Sequence, residues 1–223
     1  MKKIAVAIDG PAAAGKSTIA KLVAKIKGYT YIDTGAMYRA FTWYCLSKGL
    51  DCEDKDACCA VIPEVKIELK PNNVVLCNGI DVTKQIRMPD VSGNVSYIAS
   101  YKDIRLALVD QQRLMAETSS VIMDGRDIGT YVLPNADVKI FQIASVETRA
   151  QRRYLENQQK GIETSFGEVL AECKKRDEID SGRAFAPLKP AEDSIELDTS
   201  NLTIDEVVEE VLRIIKEKTG VSR

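Results

Sequence analysis

"DGPAAAGKST", residues 9–18, follows the apolar run KIAVAI of residues 3–8 and precedes a stretch in which Ile19, Leu22, Val23 and Ile26 recur at helical spacing up to Gly28. A short continuous apolar run suits a strand buried on both faces, and a 3.6-residue period suits a helix with one buried face. Strand, glycine loop and helix in that order form the context in which G-x-x-x-x-G-K-[ST] acts as a phosphate cradle. Gly10, Pro11, Ala12, Ala13, Ala14 and Gly15 make up the loop, Lys16 and Ser17 complete the pattern, and Thr18 follows. Backbone N–H groups of such a loop converge on phosphate oxygens, and the helix N-terminus adds partial positive charge. Lys16 is expected to reach the β- and γ-phosphates of a nucleotide, and the Ser17 hydroxyl to ligate Mg²⁺.

Outward from the loop, strands and helices alternate. YTYID (29–33) reads as a strand and GAMYRAFTWYCLSKG (35–49) as a helix closed by Gly49. VKIELKPNNVVLCNGIDVT (65–83) differs in kind: its period of two, its Pro-Asn-Asn turn and its Asn-Gly step predict a small antiparallel insertion. The helix KDIRLALVDQQRLMAE (102–117) and the strands SSVIMD (119–124) and VKIFQIA (138–144) come next. They are followed by the helix SVETRAQRRYLENQQKG (145–161), a further helix from TSFGEVLAECKKRDE (164–178), the strand SIELDTS (194–200) and the helix TIDEVVEEVLRIIKEK (203–218). Ser165 with Glu168, and Thr203 with Glu206, have capping-box spacing. The expected fold class is α/β: a three-layer phosphate-loop fold with a five-stranded, mostly parallel sheet, plus the antiparallel β insertion. Its ligands belong at the carboxyl ends of the strands.

Composition narrows the chemistry. A chain of 223 residues suits one domain with a sizeable core, and 45% apolar with 29% charged residues is a globular balance. The net charge of −2 argues against a protein that coats nucleic acid. No run approaches the roughly 18–20 apolar residues of a membrane span, and the N-terminus leads into the glycine motif instead of a cleavage site, so no membrane partner and a cytoplasmic location are expected. Six cysteines without a C-x-x-C pair read as reduced thiols with no zinc role. The absence of histidine excludes Ser-His-Asp and Cys-His machinery and imidazole acid–base catalysis within the chain.

Phosphate-loop proteins include switches, motors and small-molecule kinases. No Asn-Lys-x-Asp run marks a guanine site. Instead, arginines follow the strand and helix ends: Arg39 in DTGAMYR, Arg126 in DGRD, Arg149, Arg152 and Arg153 in TRAQRR, and Arg176 and Arg183 in KRDEIDSGR. The planar guanidinium binds phosphate bidentately, so this placement suits an enzyme that holds two phosphate-bearing molecules. Taken alone, each arginine is equally at home on a solvated helix face. Tyr38, Trp43 and Tyr44 read as helix packing.

IDGPAAAGKST, DTGAMYRA, DGRDIGT, VKIF with RAQRR, and RDEIDSGRAFAPLKPAEDSIELDTS together resemble the bacterial cytidylate kinase family along nearly the whole chain. DTGAMYR and DGRDIGT carry the specificity of that resemblance, since the loop alone identifies only the superfamily. The resemblance implies reversible transfer of the ATP γ-phosphate to CMP or dCMP, with Mg²⁺ accompanying ATP, in a monomer. It implies that Arg39, Arg126 and Arg183 grip the acceptor phosphate, that Ser96, Arg105 and Asp127 face the cytosine edge with Thr34 beside them, and that Arg176 and Asp180 lie near the acceptor ribose. Arg149, Arg152 and Arg153 resemble a mobile lid over the ATP phosphates. The corresponding regions are a core (about 1–35, 103–148 and 187–223), an acceptor-binding region (about 36–102, with an insertion at about 63–86) and a lid (about 149–166). Ala12, Ala13 and Ala14 stand where the family often has Ser or Gly, so any hydroxyl contact there is lost. On the residues alone, Asp124 and Asp127 also suit capping or pairing after a strand, Ser96 an ordinary helix hydroxyl, and Arg105 a surface ion pair. Another phosphate-loop monophosphate or metabolite kinase, and a non-catalytic nucleotide switch, remain the competing readings.

Overall fold

The computed structural model describes residues 3–221; residues 1, 2, 222 and 223, which the single-domain reading takes in, lie outside them. The chain divides into two units, one comprising the chain up to Tyr31 and from Thr118 onward, the other Ile32–Glu117.

The first unit is built on β1 (Ala5–Asp9), β6 (Val121–Gly125), β7 (Val138–Ile143) and β8 (Ile195–Asp198), and its sheet also takes in β2 (Thr30–Asp33) at one edge. The five strands run in the order β2-β6-β1-β7-β8, a parallel sheet flanked by helices. β1 and β6 are apolar throughout until their last residues, as central strands covered on both faces must be. Ile8 pairs with Asp124 and Asp9 with Gly125, so two Asp-Gly steps end side by side at the carboxyl edge.

The helix α1 (Lys16–Lys27) packs against β6 and α8 (Ile204–Thr219), and ends where Gly28, at φ 65°, returns its N–H to the Ala24 carbonyl. Its buried face differs from the expected one. Ile19 and Val23 are buried, but Leu22 and Ile26 are exposed, and Ala20 and Ala24 take their place. Small residues at i and i+4 let the helix approach its neighbours closely, which leaves the longer side chains outside. The helices α6 (Val146–Gln159) and α7 (Phe166–Gly182) pack on each other around Ala150, Val169 and Cys173. Both capping boxes form: Ser165 Oγ accepts from the Glu168 N–H, Thr203 Oγ1 from the Glu206 N–H, and each glutamate answers the cap's own N–H.

In the second unit, α2 (Thr34–Ser47) is buried on nearly all sides, with Met37, Phe41 and Cys45 in the core. The sheet β3 (Ile67–Lys70), β4 (Val74–Cys77) and β5 (Ile80–Asp81) covers it from one direction, antiparallel as expected. The helices α4 (Pro89–Ser100) and α5 (Lys102–Ala116) cover it from others. α4 and the six-residue α3 (Lys55–Ala60) carry no strong period in sequence: α3 is too short for one, and α4 mixes Gly93 with serines and valines. All six cysteines are free thiols, and burial pushes Cys45 and Cys52 upward, Cys52 to about 12. Among the described residues no helix is long and apolar enough to cross a membrane.

Candidate active site

The loop between β1 and α1 is fixed from behind. Gly10 has φ 149°, and a Cβ there would lie 2.0 Å from the Gln142 carbonyl oxygen, so the chain passes β7 at a distance only glycine allows. Gly15, at φ 89°, caps α1, and Ala13 adopts φ 58° without being glycine. Gln142 Nε2 donates to the Ala14 carbonyl at 2.6 Å and Arg149 Nη1 to the Ala12 carbonyl at 3.0 Å. A trans peptide carries its N–H opposite its C=O, so these two bonds turn the N–H groups of Ala13 and Gly15 away from β7 and α6. The loop thereby keeps its conformation without any side-chain hydroxyl.

Lys16 is buried and donates from Nζ to the Pro11 carbonyl at 2.7 Å. Burial, with Arg126 second, holds its ammonium well below the ordinary lysine value, against the pull of Asp124, Asp9 and Asp180. Ser17 Oγ donates to Asp124 Oδ2 at 2.7 Å, and the Tyr31 hydroxyl donates to Asp124 Oδ1 at 2.7 Å. Asp9 accepts from the N–H groups of Ile128 and Gly129 at 2.8 and 2.7 Å, tying the end of β1 to the GRDIGT segment; burial pushes it up to about 6.

A second polar group of the same unit gathers on α7. Arg126 Nε donates to Asp180 Oδ2 at 2.8 Å. Burial would lower Arg126, but Asp180, Asp124 and Asp177 outweigh it and hold it above its ordinary value. Asp180 is buried too, yet Arg126, Arg183 and Arg176 keep it below the usual carboxylate range. Arg176 is depressed by burial and by Arg126; its Nη1 lies 4.0 Å from Glu172, and its Nε has no hydrogen-bond partner among the described residues. Three arginines and Asp180 thus act on one another here, and arginines held close together suit an anion. Arg183 donates to the Ala186 carbonyl at 2.8 Å, and Asp127 is buried. Of the three TRAQRR arginines, Arg149 is buried and also donates to the Ala144 carbonyl and to Asp177. Arg152 reaches the Thr199 carbonyl at 2.6 Å, and Arg153 lies 3.5 Å from Glu156.

In the second unit, Arg39 donates to Ser92 Oγ at 2.7 Å and to the Ile86 carbonyl at 3.2 Å. Arg105 donates to the Ala99 carbonyl at 3.0 Å and lies over the Tyr38 ring, 5.1 Å from its centroid. Arg105 is almost fully buried, so it does not stand on the surface, where its sequence alone also suited it. Ser96 Oγ is buried with no hydrogen-bond partner among the described residues, and Thr34 is buried at the first turn of α2, where Asp33 caps the Ala36 N–H and pairs with Arg87 at 2.6 Å.

Sequence reasoning passed over Asp9, Tyr31, Arg87, Ser92 and Gln142 and left Asp124 ambiguous. A signal for two of them was present: apolar runs ending in Asp-Gly occur twice, at residues 9–10 and 124–125.

The cytidylate kinase family model matches residues 6–217. The chain belongs to the cytidylate kinase family. It is 52% identical to a cytidylate kinase of Anoxybacillus flavithermus over 97% of this chain and 98% of that protein. To that of Bacillus subtilis it is 48% identical, over 98% and 99%. Among solved structures, a gluconokinase from Sinorhizobium meliloti is similar at TM-score 0.51 and 12% identity, covering 97% of this chain and 94% of that one, which speaks to the fold alone.

Proposed function

We propose that this chain transfers the γ-phosphoryl group of ATP, reversibly, to CMP or dCMP, acting as a cytoplasmic monomer without nucleic acid or membrane. The observation that carries the reading is the Ser17–Asp124 contact at the head of α1, beside the buried Lys16. A hydroxyl and a carboxylate from a neighbouring strand end are hard oxygen donors, and they fit Mg²⁺ that shares its coordination with substrate phosphates. When bound, the ion would neutralise charge on the β- and γ-phosphate oxygens.

The chain's own work is positioning and charge neutralisation, because phosphoryl transfer runs in line through a loose transition state and asks little covalent chemistry of the protein. The loop residues Gly10 to Thr18 surround the ATP phosphates, all but Pro11 with a backbone N–H to offer, and Lys16 offsets charge that grows during transfer. Arg39, Arg126 and Arg183 orient the acceptor phosphate, which is ionised near neutral pH and needs no strong base. Ser96, Arg105 and Asp127, with Thr34 beside them, read the base; Arg176 and Asp180 serve the ribose. Arg149, Arg152 and Arg153, in a lid of about residues 149–166, exclude water so that ATP is not hydrolysed.

ADP release with Mg-ATP and a panel of nucleoside monophosphates tests this. CMP and dCMP should drive turnover, and Lys16→Met should lower it by about 10²–10³-fold while the chain stays folded. Turnover on another monophosphate or on a metabolite hydroxyl would reassign the acceptor, and ATP binding without acceptor-dependent turnover would make the chain a switch.

A further inference from the structure

Tyr31 is bonded to Asp124, one of the charged groups that act on Lys16. It lies on β2, the neighbour of β6 in the sheet, and its hydroxyl donates to Asp124 Oδ1 while Ser17 holds Oδ2, both at 2.7 Å. The Asp124 carboxylate is thus held at both oxygens, from a strand on one side and from the head of α1 on the other. A carboxylate bonded at one oxygen can still turn about its Cβ–Cγ bond, and the second bond removes that freedom. The ring is gripped by α1 as well, since Lys21 Nζ lies 5.4 Å from its centroid, one turn beyond Ser17. The ring packs against the core of the first unit, a task that phenylalanine would perform equally well. The hydroxyl has a separate task.

We propose that Tyr31 is a positioning residue for the magnesium ion: its phenol orients Asp124 so that the carboxylate oxygen beside Ser17 is presented to the ion that accompanies ATP. The inference rests on the reading that Ser17 and Asp124 hold that ion. Hydrogen bonds to a ligating carboxylate typically change metal affinity by about 10–100-fold when removed. The Tyr31 hydroxyl is bonded to Asp124 and its ring faces Lys21, not the loop carbonyls that Gln142, Arg149 and Lys16 hold, so nucleotide binding without metal should be indifferent to the hydroxyl.

The test is titration calorimetry of ATP into the full chain, with Mg²⁺ in excess and again with EDTA, for wild type, Tyr31→Phe, Ser17→Ala and Asp124→Asn. For Tyr31→Phe the enhancement of ATP affinity by Mg²⁺ should fall by about 10-fold, with the EDTA affinity unchanged. Ser17→Ala and Asp124→Asn should lose the enhancement more completely. An unchanged enhancement in Tyr31→Phe beside a reduced one in Asp124→Asn would overturn the role of Tyr31 alone. Equal loss with and without Mg²⁺ would overturn it too, because the hydroxyl would then support the fold and not the ion. An enhancement untouched in Ser17→Ala and Asp124→Asn would overturn the metal reading and this inference with it.

Discussion

Arg149 Nη1 donates to the carbonyl oxygen of Ala12 at 3.0 Å, so the first turn of α6 holds the phosphate loop. The same guanidinium bonds Ala144 and Asp177, and Arg149 is buried. A lid arginine that reaches ATP must release such bonds on closing, whereas Arg153, half-buried, has among the described residues a contact with Glu156 at 3.5 Å to give up. Arg149→Ala is therefore expected to cost stability, about 2–3 kcal/mol from charge-assisted bonds left unpaired. Arg153→Ala should shift stability by less than about 0.5 kcal/mol and lower kcat more than it raises the KM for CMP. Urea unfolding and steady-state kinetics on the two variants separate the roles, and an unchanged kcat in Arg153→Ala would remove it from the lid.

Two glycines make opposite demands. At Gly10 a Cβ would lie 2.0 Å from a backbone oxygen of β7, which no rotamer relieves, so Gly10→Ala should cost more than about 3 kcal/mol or fail to fold. Gly93 is exposed inside α4 with open space around a built Cβ, so Gly93→Ala should stabilise by about 0.5–1 kcal/mol. Thermal unfolding midpoints of both variants decide it.

The parallel sheet was legible because its strands are short apolar runs punctuated by motif loops, and both capping boxes were legible because their chemistry is local. α4 was not, since its helical state depends on packing beside α2 more than on its own period. The loop motif singles out Lys16 and Ser17, which the structure bonds to the Pro11 carbonyl and to Asp124. It could not reveal Gln142 or Arg149 as the donors that hold the loop, because those contacts span more than 120 residues of chain. Tyr31 read only as part of a strand, since a hydroxyl's partner on a neighbouring strand has no signature in spacing.

Asp9 should leave a trace in the pH dependence of stability. Burial raises it from 3.8 to about 6; the Gly129 and Ile128 N–H groups and Lys16 pull it down, and Asp127 pushes it up. A carboxyl raised in the folded state binds its proton more tightly there than in the unfolded chain. Its contribution to stability is complete below about pH 4 and is lost as the pH rises through 6. Asp9→Asn cannot titrate, and its amide opposes one of the two N–H donors, so the variant starts less stable. The gap between wild type and variant should shrink between pH 4 and pH 7 by an amount on the order of 3 kcal/mol. Urea midpoints across that range measure the gap, and a constant or widening gap would contradict a raised Asp9.

The choice of base is the sharpest test of the acceptor assignment. Cytosine offers an amino donor at N4 and an acceptor at N3, whereas uracil offers an acceptor at O4 and a donor at N3. On the proposed assignment, a carboxylate such as Asp127 would only accept and a guanidinium such as Arg105 would only donate, so base recognition by the two would satisfy cytosine and strand polar groups against uracil. Burial of both residues makes each stranded group costly, and sites of this kind discriminate by up to about 10⁴-fold. CMP should accordingly exceed UMP in kcat/KM by a large factor, with purine monophosphates excluded on size as well. Asp127→Asn supplies an amide donor suited to O4, so it should narrow the CMP-to-UMP ratio, chiefly by damaging the CMP reaction. Equal use of CMP and UMP by the wild type, or an unchanged ratio in Asp127→Asn, would take Asp127 out of base recognition and leave Ser96 and Arg105 to be tested as the readers in its place.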